Sequence, residues 1–304
     1  MPIIGYYVKD IASLPESNAE DSRYDAIRDL EYELTQRGAS LVVIAEEESH
    51  QGSGVFDRSW TFASHGGLIE NGPVTVQLIY NVGRIKRAEG LTLVNHPELC
   101  TIMDDKILTY SMFPELHPKS FFIQNAQDYR SKLPEITTET IVLKPIDGTY
   151  SENVIISDKK LQQTPESYPL LMQEFIDSSN GIDGITPGEH DLRIIMLDEH
   201  PALVLVRVPK PGSHVAGLRL GASYYFPAIS ELPGSVIHLI RQIDQQFNQY
   251  PGRAYSIDCA MTPLGPKIIE LNASPALWPS KENRALEAFN MQLANHLIRY
   301  SEPT

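Results

Sequence analysis

Apolar positions along the chain fall into short, well-separated periods. "IIGYYV" (3–8) is a continuous run of strand length, Tyr24, Ile27, Leu30 and Leu34 recur at helical spacing before Gly38, and "SLVVIA" (40–45) is strand-like again. With "VTVQLIY" (74–80), these predict a small α/β lobe with a mainly parallel sheet, ending near residue 95. Two short helical patterns then lead through Pro118 into the strand-like "SFFI" (120–123). β-rich runs follow within 140–157 and at "LLMQEFI" (170–176), "DLRIIML" (191–197) and "ALVLVRV" (202–208), the last two separated by the turn sequence "DEHP". Together they predict an antiparallel sheet in a mixed α+β core. Val236, Ile237, Leu239, Ile240, Ile243 and Phe247 mark an amphipathic helix, and Leu286, Phe289, Leu293, Leu297 and Ile298 a final one.

Between those two helices, "AYSIDCAM" and "PKIIELNA" flank "TPLG", which favours a turn. Pairing the two runs about Leu264 sets Asp258 opposite Glu270 and puts Asn272 on the same face, with Ile257, Cys259, Ile269 and Leu271 on the other. Like charges directly across a sheet are destabilising unless something compensates them, and a bound cation would do so. Two carboxylates and an amide oxygen form a hard-oxygen set suited to Mg²⁺ or Mn²⁺; Mg²⁺ commonly combines such carboxylates with substrate phosphates. An edge hairpin with solvated acids is the other reading the hairpin alone allows.

A chain of 304 residues favours two or three lobes around a cleft over one globule. Its 39 acids against 25 Lys and Arg give a net charge of −14, which argues against a nucleic-acid or acidic-membrane surface; "GRIKR" (83–87) is too short a basic run to reverse this. Cys100 and Cys259 stand far apart without CxxC or Cys/His spacing, so reduced thiols in a cytoplasmic protein are expected, with neither disulfide nor zinc. "MPIIGYYVKD" reads as no signal peptide, and no segment approaches the ~20 apolar residues of a membrane span. GxSxG, GxxxxGK[ST] and GxGxxG patterns are all missing, which leaves no signal for a serine elbow, a P-loop or a dinucleotide site.

Five pieces occur in a telling order: "DDK" (104–106), "LKP" (143–145), "QEFI" (173–176), "HDLRI" (190–194) and "SIDCAM…IIELNASPAL". In order and spacing, over about residues 95–300, they resemble the ATP-grasp ligases, in particular the branch with glutathione synthetases and ribosomal-protein glutamate ligases. The resemblance implies an α/β domain (1–95) followed by two antiparallel-sheet lobes clasping nucleotide: a small lobe (96–176) and a large lobe carrying the metal and catalytic site (177–304). It implies an ATP-dependent carboxylate–amine ligase that works through an acyl phosphate, with small carboxylate and amine substrates such as an amino acid or short peptide. Related enzymes often form homodimers or homotetramers. A nucleotide-binding module without ligase activity and an ATP-dependent phosphotransferase stay open as alternatives.

Residue by residue, the resemblance gives Lys106 and Lys144 to the nucleotide phosphates. It gives Gln173, Glu174, Phe175 and Ile176 to the segment holding adenine and ribose. Arg193 would face the transferred phosphate with Asp191 orienting it, although these two also fit a structural ion pair. Arg207 is a second candidate for that anionic pocket. Asp258, Glu270 and Asn272 match the family's metal-binding acid, acid and amide. The sequence departs from the family in two places. The loop "DGTYSENV" keeps only Gly148, which shifts closure over the phosphates towards Thr149 and Ser151, and "PGSHVAGLRLGAS" has Val215, Ala216 and Gly217 where an Arg-x-Asn is usual, with Arg219 displaced along it. Arg84 in the amino-terminal lobe is a further candidate for a substrate carboxylate.

Overall fold

Continuous apolar runs condense into three principal sheets. The computed structural model of the chain describes every residue except 15–22, 64–66, 88, 147–152, 162, 217–219, 276, 281–282 and 303–304. First come β1 (Ile3–Val8), α1 (Arg23–Gln36), β2 (Ser40–Ala45), β3 (His50–Gly52), β4 (Val55–Phe56), β5 (Ser59–Phe62), β6 (Leu68–Asn71), β7 (Val74–Thr75), β8 (Leu78–Asn81) and β9 (Leu93–Val94). Six of these strands form a sheet of order β6-β5-β2-β1-β8-β9, and β3, β4 and β7 form a smaller one. β1 pairs in parallel with β2 and β8, and β8 with β9, while β5 and β6 make an antiparallel edge. Parallel neighbours need a crossover, which α1 supplies by burying Tyr24, Ala26, Ile27, Leu30 and Leu34. The single strand expected over 74–80 is instead two. Val74 and Thr75 pair with β4, and Gln77 breaks the run by accepting the Ile3 N–H on its side-chain oxygen and donating its own N–H to Ile3 O.

The second sheet, β10-β13-β11-β12, is antiparallel and comes after two short helices, α2 (Pro97–Asp104) and α3 (Lys106–Met112). Its strands are β10 (Ser120–Ile123), β11 (Thr140–Pro145), β12 (Ile155–Asp158) and β13 (Leu170–Glu174), with α4 (Ala126–Lys132) beside β10. This sheet has an apolar cluster of its own, centred on Ile123, Tyr129, Ile141, Leu143 and Met172. The third sheet, of order β16-β15-β14-β17-β18, comprises β14 (Asp191–Leu197), β15 (His200–Val208), β16 (Ser223–Tyr225), β17 (Ala254–Thr262) and β18 (Gly265–Ala273), with α5 (Gly234–Phe247) and α6 (Arg284–Ser301) alongside. The β-rich runs after Pro118 thus divide between two antiparallel sheets in a mixed α+β fold.

One face of the third sheet is sealed by α2 and α5, whose Leu99, Met103, Leu239, Ile243 and Phe247 meet Ile257, Cys259, Ile268 and Leu271. On the opposite face, Ile195, Leu197, Leu203 and Ala254 join α6 and the amino-terminal sheet in one core. The remaining part of that face, nearer residues 191, 207 and 258, carries charge. The end of β8 also approaches β1 closely: a Cβ on Gly83 would lie 2.3 Å from Lys9 N and 2.4 Å from the Val8 carbonyl carbon. Because those atoms are backbone, Gly83→Ala is expected to cost about 3 kcal/mol, the upper end of ordinary overpacking, measured as a lowered urea midpoint.

Candidate active site

Strand register brings together residues that are far apart in sequence. Asp191 on β14 lies opposite Arg207 on β15, Arg193 on β14 opposite Asp258 on β17, and Asp258 opposite Glu270 on β18. Alternation along each strand puts all five side chains on one face. Arg193 grips Asp258 with two bonds, Nε to Oδ1 at 2.7 Å and Nη2 to Oδ2 at 2.5 Å. Arg207 Nη2 donates to Asp191 Oδ2 at 2.5 Å and to Asp258 Oδ2 at 2.9 Å. Lys106 Nζ stands 3.5 Å from Glu270 Oε1. The result is a ladder of paired charges across five elements, α3, β14, β15, β17 and β18.

Two expectations change here. Facing carboxylates do not depend on a bound cation, because Asp258 is already held by two guanidiniums and Glu270 lies beside an ammonium. Asp191 pairs with Arg207, so the carboxylate that orients Arg193 is Asp258. The expected facing of Asp258 and Glu270 is found, but by another route. A tight turn pairs Thr262 with Gly265 and Cys259 with Ile268, and a bulge at Ile269 then shifts the register to Asp258 opposite Glu270 and Ser256 opposite Asn272. Ile268 and Leu271 therefore enter the core, while Ile269, expected on the buried side, lines the cleft.

Burial sets the electrostatics. It would push the Asp258 carboxyl up, but Arg193 and Arg207 outweigh it and hold the group below the usual carboxylate range. For Asp191, burial prevails over Arg207 and raises the carboxyl. Glu270 is also raised, by burial and by the Asp258 charge, against the pull of Lys106. Burial lowers the Lys144 ammonium.

Above this face, between the second and third sheets, opens a cleft. Lys106, Lys144, Gln173, Glu174, Phe175, Ile176, Asp191, Arg207 and Glu270 all line it. Arg193 and Asp258 lie beneath, and Asn272 occupies the next row. Lys106 is the first residue of α3, fixed by the Asp105 cap, whose Oδ1 accepts the Ile107 and Leu108 N–H groups; its Nζ also donates to Ile146 O across the cleft at 3.2 Å. Gln173 Nε2 is turned into the sheet, donating to Ser120 Oγ at 2.7 Å. Glu174 Oε1 accepts from the Thr137 N–H at 2.7 Å and hydroxyl at 2.6 Å. Arg219 and the loop residues Gly148, Thr149, Ser151 and Gly217 lie outside the described residues.

Arg84 is committed elsewhere. All five of its N–H donors are used, on Asp104 Oδ2 and Oδ1, Val82 O, Ser274 Oγ and Ala273 O, so none remains for a substrate carboxylate. Glu189 and His214, joined at 2.9 Å on the cleft wall, were not singled out by sequence, since both sit in loops without a period. The pairing of Asp191 with Arg207 was signalled by the "DEHP" turn, which folds β14 back on β15.

A family model described as prokaryotic glutathione synthetase, ATP-grasp domain, matches residues 105–253. The whole chain superposes on a Chryseobacterium gregarium RiPP-associated ATP-grasp ligase in complex with ADP and a leader and core peptide, at a TM-score of 0.64 and 12% identity, covering 100% of this chain and 98% of that one. Residues 105–253 thus match an ATP-grasp domain, and the whole chain has the ATP-grasp fold. Two further structures with this ATP-grasp fold are similar across nearly their full length. The ATP-grasp ligase PsnB, complexed with minimal precursor, Mg and ADP, has a TM-score of 0.61 and 12% identity over 99% of this chain and 97% of that one. D-cycloserine synthetase DcsG has 0.62 and 15% over 97% and 100%. No curated protein sequence matches the chain significantly. Among the described residues, no helix is long and apolar enough to cross a membrane.

The floor of this ATP-grasp cleft suits a hard divalent cation. The Asn272 amide nitrogen is buried without a partner, and the amide turned over would present its oxygen to the same place. Asp258 Oδ1 accepts a single bond, from Arg193, and keeps a second lone pair. Among the described residues, no three His, Cys, Asp or Glu side chains gather to hold an ion by themselves, so an amide and ligand phosphates would complete the shell.

Two substitutions test this balance. Asp258→Asn leaves two buried guanidiniums without their shared counter-charge and should cost about 3–5 kcal/mol in denaturant unfolding at neutral pH. Since the Asp258 carboxyl is held low, its contribution is present above the ordinary Asp value of ~3.9 and disappears as pH falls through the lowered one, so the deficit shrinks only in strong acid. Glu270→Gln should have the opposite sign. With a raised carboxyl, Glu270 disfavours folding once ionised, so the variant should melt above wild type at pH 7–8, an advantage that vanishes below about pH 4, where the acid is protonated in both states.

Proposed function

We propose that the chain is an ATP-dependent carboxylate–amine ligase: a substrate carboxylate takes the γ-phosphoryl group of ATP, and an amine then displaces phosphate from the acyl phosphate to form an amide. The observation that carries this reading is Arg207. Its Nε is buried without a partner while its Nη2 is held by Asp191 and Asp258 on the floor of the cleft. A buried unpaired cationic donor calls for an anion, and a guanidinium fork suits phosphate and carboxylate oxygens.

In this reading Lys106 and Lys144 contact the nucleotide phosphates. Lys144 is half-buried with its charge disfavoured, so an arriving phosphate strengthens that charge. Phe175 and Ile176, just beyond β13, offer backbone to the adenine edge, with Gln173 locked to Ser120 behind them and Glu174 or Glu189 near the ribose. Arg193 and Arg207 offset charge that develops at the transferred phosphoryl group, kept in place by Asp258 and Asp191. Asp258, Glu270 and Asn272 would hold Mg²⁺, or Mn²⁺, which offsets β- and γ-phosphate charge when bound. No protein nucleophile is needed, and catalysis is positioning plus electrostatics. The second sheet (in 96–176) serves as the lid, the third (in 177–304) as the floor, and the amino-terminal domain (1–95) borders the substrates. Structures of similar fold contain ADP, Mg and peptide ligands, which supports a small acid, amino acid or short peptide as substrate, and the cytoplasm, with its ATP and reduced thiols, is the compartment we favour.

The test is incubation with ATP, Mg²⁺, pooled amino acids and peptides, and hydroxylamine. A hydroxamate, lost on Glu270→Gln, is expected. Phosphate transfer without hydroxamate indicates a phosphotransferase; ADP binding without turnover indicates a binding module; and a fully active Glu270→Gln overturns the metal assignment.

A further inference from the structure

Beside the ladder, three residues other than glycine hold left-handed backbone: Arg84 (φ 66°), Asn95 (φ 70°) and Ser274 (φ 63°). Residues with a Cβ keep this conformation only where their surroundings over-determine it. Here the surroundings are one another. Ser274 Oγ accepts from Arg84 Nη1 at 3.0 Å and Asn95 Nδ2 at 2.9 Å, and donates to Asn81 O at 3.0 Å. A hydroxyl has one proton and two lone pairs, and all three are used, so Ser274 has nothing left to offer a ligand. Asn95 behaves like a strand edge towards β17, accepting the Ala254 N–H at 2.7 Å and donating to Ala254 O at 2.8 Å. The Ser274 N–H adds a bond to that carbonyl at 3.1 Å.

The knot sits between both halves of the phosphate end of the cleft. Ser274 follows Asn272 by two residues and Glu270 by four, while Asp104, clasped by Arg84, precedes Lys106 by two. One cluster thus fixes both sides of the contact between Lys106 and Glu270. We propose that Ser274 is a positioning residue: by tying the end of β18 to the amino-terminal sheet, it sets Glu270 and Asn272 against Lys106 in the geometry a Mg²⁺–nucleotide requires. This deepens the ligase reading and rests on it.

Ser274→Gly is the informative change, because glycine adopts φ 63° without strain, which offsets part of the lost bonding. ADP binding by the full chain, measured calorimetrically with and without Mg²⁺, should be unchanged without the ion. The Mg²⁺ needed for half-maximal binding should rise at least about tenfold, the effect of losing an outer-shell support, and turnover should fall in parallel. Arg84→Lys, which keeps the charge but not the five-donor fork, should show the same Mg²⁺ defect and serves if the first variant does not fold. A wild-type Mg²⁺ response in either variant overturns the proposal, as does an equal loss of Mg²⁺-free ADP binding, which would mark a merely structural tie. If wild type binds no ADP under any condition, the ligase reading has failed and the proposal falls with it.

Discussion

Asp258, buried and shared between Arg193 and Arg207, is the interaction on which the floor of the cleft depends. A carboxylate so far from water would ordinarily take up a proton; two guanidiniums keep it charged, and its charge in turn makes it tolerable to bury them. Because each member comes from a different strand, the ion pairs and the register of β14, β15 and β17 reinforce one another. A slip by one residue would turn these charges into the apolar core formed by α2 and α5.

Around this satisfied centre stand groups that are not satisfied. Asp191 and Glu270 are pushed towards their neutral acids and Lys144 towards its neutral amine, and Arg207 Nε and the Asn272 amide nitrogen lack partners. Under the proposed ligase reading, each of these penalties would shrink when a polyanion and a divalent cation arrive together: phosphate oxygens favour the lysine and arginine charge, and a cation favours the carboxylates. Ligand affinity is in this sense built into the cleft, and its cost is carried by the apolar packing beneath.

The sheets divide the work. The third sheet is continuous through α6 with the core of the amino-terminal sheet, so its charged face has a firm backing. The second sheet has a separate cluster and reaches across the cleft through Lys106 Nζ and Ile146 O. Under the proposed ligase reading, a second sheet with its own core can serve as a lid over the floor formed by the third.

Much of this was written locally. Apolar periods placed β1, α1, β2, α5 and α6, and an alternation of acid and amide about "TPLG" placed Asp258 opposite Glu270. The stretch 46–72, with four short strands, has no sustained period, and α4 and β16 are too short to leave one. The bulge at Ile269 is likewise invisible in the alternation it corrects. Roles that depend on partners were beyond sequence altogether. Arg193 and Asp258 meet only because β14 lies next to β17, and Arg84, a sequence candidate for a substrate carboxylate, is fully used by Asp104, Val82, Ala273 and Ser274. By itself, the sequence determined which segments are strands or helices and which side chains share a face, since these follow from spacing over a few residues. The tertiary structure alone decided which charges are paired and which are left for a ligand, because hydrogen-bond saturation is settled by neighbours that the chain brings in from far away.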